Sequence, residues 1–236
     1  MSQTDGRMEG DPERLRSVQD VCKPDRRSKT TSFLTNQSFT VQDQHDAAAK
    51  YILHSGVPHD IRIQFETTKN LYLYAWFVHR FYPVAKLHAY TCLEFSLRER
   101  FEAEVIAARS KPRKFDPSFK ELLSYVVKNG YLKNEHFIVW RHRTEARAQQ
   151  RTELERLAEM ERLNLSEMVF DESDYEVTEE DRDHDYLETI LESTPWLRNH
   201  YAHGSTSLDN QAFGTIQLVS EIINQIFPEP QPLKIS

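Results

Sequence analysis

Large apolar side chains are scarce over the first forty residues and frequent after residue 50. Residues 1–40 offer almost none before Phe33 and Leu34, too few to offset the entropy of ordering the chain, and predict a flexible polar tail. Residues 42–54 have the pattern of a short helix that Gly56 and Pro58 stop. Ile61, Ile63 and Phe65 alternate with polar partners, which predicts an extended segment. From Asn70 to Tyr82 the chain is apolar nearly all round, the pattern of a buried helix, and Pro83 bends or restarts it. Leu87, Tyr90, Leu97, Phe101 and Val105 then recur at three- and four-residue steps on one helix face.

After a loop at Lys111–Pro117, residues 119–132 read as a short amphipathic helix with Gly130 as its C-cap. Residues 141–168 are charged on most faces, with a thin stripe through Leu154, Leu157 and Leu163. They predict a long exposed helix or arm. Tyr186–Leu191 begin another helix, and Phe213, Ile216, Val219, Ile222, Ile223 and Ile226 line one face of a last one. Pro228, Pro230 and Pro232 end it. The sum is an all-α bundle of five or six helices with a flexible N-terminal tail. The expected domain spans 70–228, preceded by the tail at 1–40 and an extension at 41–69, and followed by a Pro-rich tail at 229–236.

Composition narrows the choice of function. The 236 residues carry a formal charge of -7 and a pI of about 5.8, which argues against a general nucleic-acid coat protein but leaves room for a small basic site. Cys22 and Cys92 match no metal or disulfide spacing. No run is apolar for long enough to span a membrane, and the N-terminus lacks a signal-peptide core. The expectation is a soluble, cytoplasmic protein without membrane association. The acidic block at 171–188 lacks the glycine and ligand spacing of a calcium loop, and reads as a linker into a helix N-terminus.

Candidate chemistry concentrates in TPWLRNHYAHGS, residues 194–205. Thr194 and Pro195 form a helix-start signature, and Gly204 a C-cap. WLRNHYAH is then a short helix or the last turns of the preceding one. A five-residue step rotates about 140° on a regular helix, so Arg198 and His203 do not share a face, whereas Asn199 and His203 do. Glu94 sits between Leu87, Leu97 and Phe101 in an apolar stripe, where a carboxylate requires a partner. Either Arg98, one turn on, or Arg198 can serve.

The arginine, the polar residue directly after it, the histidine and the glycine of LRNHYAHG resemble the signature of the HEPN family (higher eukaryotes and prokaryotes nucleotide-binding). CLEFSLRERF at 92–101 is similar to the family's early helix with its embedded acidic residue. FKELLSYVVKNGYL and SEIINQIF are similar to the helix before the signature and the closing helix. The resemblance covers residues 70–228 and implies a HEPN-like bundle. It also implies metal-independent RNA cleavage, with no cofactor and no metal, by the RNA's own 2′-hydroxyl. Arg198 and His203 would be catalytic, with Asn199 and Glu94 in support. Arginine's planar fork suits a phosphorane, and histidine can move the 2′-hydroxyl or leaving-group proton. Asn199 would hold the histidine's other ring nitrogen or the phosphate. His200 is a further candidate that its neighbours give no reason to prefer.

Implied partners are an RNA substrate, a second copy that supplies the other proton-transfer group, and an antitoxin or regulatory protein, as for a toxin or defence effector. Ser205 stands where some toxins of the family carry a modifiable tyrosine. The alternative is a non-catalytic module of the same fold that binds nucleotides or RNA, or dimerises. The run of apolar residues at 70–82 and the last helix predict the homodimer from apolar surface in excess of what one thin bundle needs.

Overall fold

The computed structural model describes residues 13–29, 39–110, 114–167, 171, 174–204 and 210–229. All regular structure in them is helical. Among the described residues seven helices have nine residues or more and an eighth is a single turn, more than the five or six expected. Helix α1 (Val41–Ala49) opens with a reciprocal cap: Thr40 Oγ1 accepts from the Asp43 backbone N–H, and the Asp43 carboxylate accepts from Thr40 N–H at 2.8 Å.

Helix α2 (His59–Tyr74) corrects the extended segment expected around Ile61–Phe65. Ile61, Phe65, Thr68 and Tyr72 form its buried stripe, while Ile63 is 48% exposed. Positions 61 and 65 therefore bury as helical i, i+4 neighbours, and a three-residue alternation imitated a strand. The expected boundary at residue 70 falls inside α2, and Ile61 and Phe65 belong to the same core cluster as the later helices. Residues 41–69 are thus part of the bundle rather than an extension of it.

The single helix expected over 70–82 is two helix ends and a turn. Helix α2 stops at Tyr74, and α3 (Phe81–Ala107) begins after six intervening residues with Pro83 in its first turn, where a missing N–H is harmless. The intervening turn contains no glycine or proline. Its backbone groups are satisfied from far upstream: Asp25 N–H and Ser28 Oγ–H both donate to the Trp76 carbonyl, at 3.0 and 2.9 Å, and His79 N–H donates to Asp25 Oδ2. Residues 25–28 are therefore anchored on the bundle, unlike the flexible tail expected over 1–40; residues 1–12 and 30–38 lie outside the described residues.

Helix α3 is the axis of the molecule. Ala85, Ala89, Leu93, Leu97 and Phe101 lie four residues apart and are fully buried, against α2, α4 (Phe119–Lys128), α7 (Tyr186–Ala202) and α8 (Ala212–Ile226). Helix α4 has a Ser118/Glu121 capping box and ends at Gly130 with φ of 72°, the left-handed conformation a glycine C-cap supplies. Helix α8 buries Ile216, Val219, Ile222 and Ile223 completely. Its C-terminal end returns to residues 51–57: Asn224 Oδ1 accepts from His54 N–H, and Asn224 Nδ2 donates to the Ile52 carbonyl. Gly56 faces the Pro228 carbonyl so closely that a β-carbon has no room.

Between these elements runs α5 (Ile138–Arg162), the expected exposed arm. It packs chiefly on the single turn α6 (Glu179–Arg182) and on the 3-10 turn at Asn134–His136. The acidic segment lies antiparallel along one of its faces. Arg147 donates to the Asp183 carbonyl, Arg151 to both Asp181 carboxylate oxygens, and Arg156 to Asp174. The carboxyl of Asp181 is held below its ordinary range by hydrogen bonds from Arg151 and Thr178. The segment then delivers Asp185 as the N-cap of α7, its side chain accepting from Leu187 N–H at 2.9 Å. No helix among the described residues is long and apolar enough to cross a membrane.

Candidate functional site

Helix α7 does not restart at the proline. It runs unbroken through Thr194 and Pro195, so WLRNHYAH forms the last turns of the preceding helix, the second of the two expected forms, and Thr194 and Pro195 are not an N-cap and first helical position. A proline there removes one helix hydrogen bond. Burial compensates, since Thr194, Pro195 and Ile190 all pack inside the bundle. The helix reaches Ala202, His203 is its C-cap, and Gly204 follows with φ of 89°. That glycine is the terminator the sequence indicated.

Continuity of the helix fixes which side chains face which way. Arg198 points to α3, and Trp196, Asn199, His200 and His203 form a solvent-facing stripe at steps of three, one and three. On the α3 side, Glu94 is 14% exposed and accepts from both candidate partners at once. Its Oε2 receives Arg198 Nε at 3.1 Å and Nη2 at 2.7 Å, and its Oε1 receives Arg98 Nη2 at 2.9 Å. Arg98 continues to Glu102 at 2.8 Å. The carboxylate in the apolar stripe is thus doubly paired, as its burial requires.

Arg198 is held across two helices. Its Nη1 donates to Asn199 Oδ1 at 3.2 Å, so Asn199 binds the guanidinium rather than the histidine. A guanidinium has five N–H groups, and these contacts leave two of Arg198's for a phosphate. The Arg198 side chain is 34% exposed, open enough to meet one. His203 is exposed at the helix end and its side chain makes no hydrogen bond to another described residue. The structure therefore brings Glu94, Arg198 and Asn199 together, and leaves His203 on the neighbouring face, five residues along.

Three aromatic or basic neighbours escaped the sequence reading. Lys86 is 5% exposed, donates from Nζ to the Tyr201 hydroxyl at 3.2 Å, and lies over the Tyr201 ring. Tyr201 in turn stacks on Tyr90, ring centroids 6.5 Å apart, and burial pushes the Tyr90 phenol up to about 12. Lys86 is a charged residue in the same apolar stripe as Glu94, two turns earlier, so the signal that singled out Glu94 applied to it too. Trp196 is 64% exposed and stacks on His200 with rings 11° from parallel. This places His200 beside the tryptophan and away from Arg198.

A separate groove of about 720 Å³ lies between the 131–136 loop and the end of α8, lined by His54, Lys133, His136, Glu221 and Gln225 among others. It shares no residue with the cluster. No family model, curated protein or solved structure matches this chain.

Proposed function

We propose that the protein is a metal-independent endoribonuclease of the HEPN type, acting in the cytoplasm. The observation that carries the reading is the anchoring of Arg198 by Glu94 across two helices, next to Asn199 and one turn before an exposed histidine. A guanidinium held on one edge by a carboxylate keeps its remaining N–H groups aimed outward at no further ordering cost, which is what stabilising a developing oxyanion requires.

In the proposed reaction the RNA 2′-oxygen attacks the adjacent phosphorus and loses its proton to a base. The pentacoordinate phosphorane gathers negative charge, which Arg198 and the Asn199 amide stabilise. The bond from phosphorus to the 5′-oxygen then breaks, and an acid protonates that oxygen. The products are a 2′,3′-cyclic phosphate and a 5′-hydroxyl. His203 serves as base or acid; the other role falls to His203 of a second copy. The open face of the Trp196 indole suits an unpaired base, since base–aromatic stacking is indifferent to sequence.

The test is cleavage of single-stranded RNA in excess chelator. DNA of the same sequence, lacking the 2′-hydroxyl, should stay intact. Arg198→Ala and His203→Ala should each slow cleavage about a hundredfold or more, the scale of losing an oxyanion contact or a proton-transfer group. Wild-type rates in His203→Ala would overturn the catalytic reading. One observation favours the second reading, a non-catalytic binding or dimerisation module: within one chain Arg198 and His203 occupy different faces of α7. That module would bind RNA and leave it uncut.

A further inference from the structure

We propose that α5 is a dimerisation arm, which pairs antiparallel with α5 of a second copy about a two-fold axis near residue 152. The proposal goes beyond the nuclease reading, which requires a second copy but gives no surface for it. Much of the apolar surface first expected to join two copies is used inside one chain: Tyr72, Ala75 and Tyr82 are buried, and Ile216, Val219, Ile222 and Ile223 fully so, while Tyr74 stays 57% exposed.

Helix α5 is different. One face, with Thr144, Ala148, Arg151 and Arg156, carries the acidic segment. An adjoining exposed face runs through Val139, Arg143, Ala146, Gln150, Leu154, Leu157 and Glu161, at steps of three and four residues, the spacing of a helix–helix seam, and its Gln150 and Leu154 border a groove against Glu180 and Asp181. Leu154 is 59% exposed, Leu157 53% and Val139 43%. Just past the helix, Leu165 is 46% exposed and is fixed there by its N–H bond to the Met160 carbonyl, with Asn164 at φ of 54°. That C-terminal motif turns the chain back and leaves the leucine at the edge of the seam.

Charge decides the occupant and the direction. The half at 138–151 carries Arg141, Arg143, Arg147 and Arg151 against Glu145. The half at 152–162 carries Glu153, Glu155, Glu159 and Glu161 against Arg156 and Arg162. A parallel pair would set like on like, whereas an antiparallel pair sets basic on acidic. Placing Arg143 opposite Glu161 of the other copy brings Gln150 to Leu154, Ala146 to Leu157 and Val139 to Leu165, and the two-fold repeats each layer. Neither Arg143 nor Glu161 makes an ion pair with another described residue in its own chain, so both are available to this contact.

The experiment uses the full chain in sedimentation at micromolar concentration, with RNA cleavage read separately in the same samples. The wild type should sediment with twice the chain mass. Arg143→Glu or Glu161→Arg alone should raise the dimer dissociation constant at least about tenfold, because like charges then meet in two symmetric layers. The double variant should return it to within about threefold of wild type, the mark of a direct pair. In a Cys22→Ser background, Gln150→Cys with Leu154→Cys should oxidise to a linked dimer, and Gln150→Cys alone should not. A monomeric wild type, a dimer indifferent to both reversals, a double variant that stays dissociated, or linkage through Gln150→Cys alone would each overturn the proposal. A wild-type dimer that leaves RNA uncut would instead count against the nuclease and leave the arm standing.

Discussion

Removing the charge from Glu94 leaves Arg98 and Arg198 facing a neutral amide, with an N–H group pointed at a guanidinium in place of one acceptor. Glu94→Gln should therefore lose about 1–3 kcal/mol of stability, the range for disturbing charged hydrogen bonds in a half-buried site. Urea unfolding measures the loss, and RNA cleavage should fall with it. Thr194→Val should move the other way. The Thr194 hydroxyl is fully buried without a hydrogen-bond partner among the described residues, and replacing it with a methyl of the same shape should add about 1 kcal/mol in the same assay. Trp196→Ala should weaken binding of a 2′-O-methyl single strand by about 1–3 kcal/mol, the worth of one stacked base, and leave duplex binding unchanged. Glu94 was legible in the sequence because a carboxylate in an apolar stripe has to be explained. Lys86 gave the same signal. Trp196 gave none, since exposure of one tryptophan depends on which neighbours turn away from it.

Helix identity followed periodicity wherever the apolar stripe was long, as in α3, α4 and α8, and failed where the decisive contacts were distant. The break after Tyr74 has no local cause in the sequence. Its backbone groups are met by Asp25 and Ser28, some fifty residues upstream, and a local reading cannot anticipate a remote cap. The same anchor has a pH signature. Burial raises the Asp25 carboxyl, but hydrogen bonds from Arg27 and the His79 backbone outweigh it and hold the group at about 2, below its ordinary 3.8. A carboxyl with a depressed folded value adds stability above pH 3.8 and loses it as pH falls toward 2. Thermal melts should show that decrement between pH 4 and 2 in the wild type, and Asp25→Asn should lack it while melting lower at pH 7. The acidic segment on α5 calls for a different check. Asp181 is engaged by Arg151 and Thr178, so calcium or chelator should leave the melting temperature unchanged.

At the scale of the molecule, the all-α class was readable because the apolar residues after position 50 fall at helical spacing almost throughout. The domain boundary was not, because 41–69 looks polar when read alone and becomes core only through what α3 and α8 place against it. Gly56→Ala should expose that dependence: the new methyl meets the Pro228 carbonyl, and overpacking of this kind lowers stability by about 1–3 kcal/mol.

The burial of α8 has a consequence for how the chain is made. Synthesis delivers α1, α2 and α3 well before Ile216, Val219, Ile222 and Ile223, which close the core against α3 and follow only after α4, α5 and α7. Until the segment near residue 227 has emerged, the nascent bundle holds a long apolar trough with nothing in it. Contacts between residues 51–57 and 224–228 span about 170 positions, so they form late and slowly. Until α8 drops into place, the emerging bundle is a client for whatever shields exposed apolar surface.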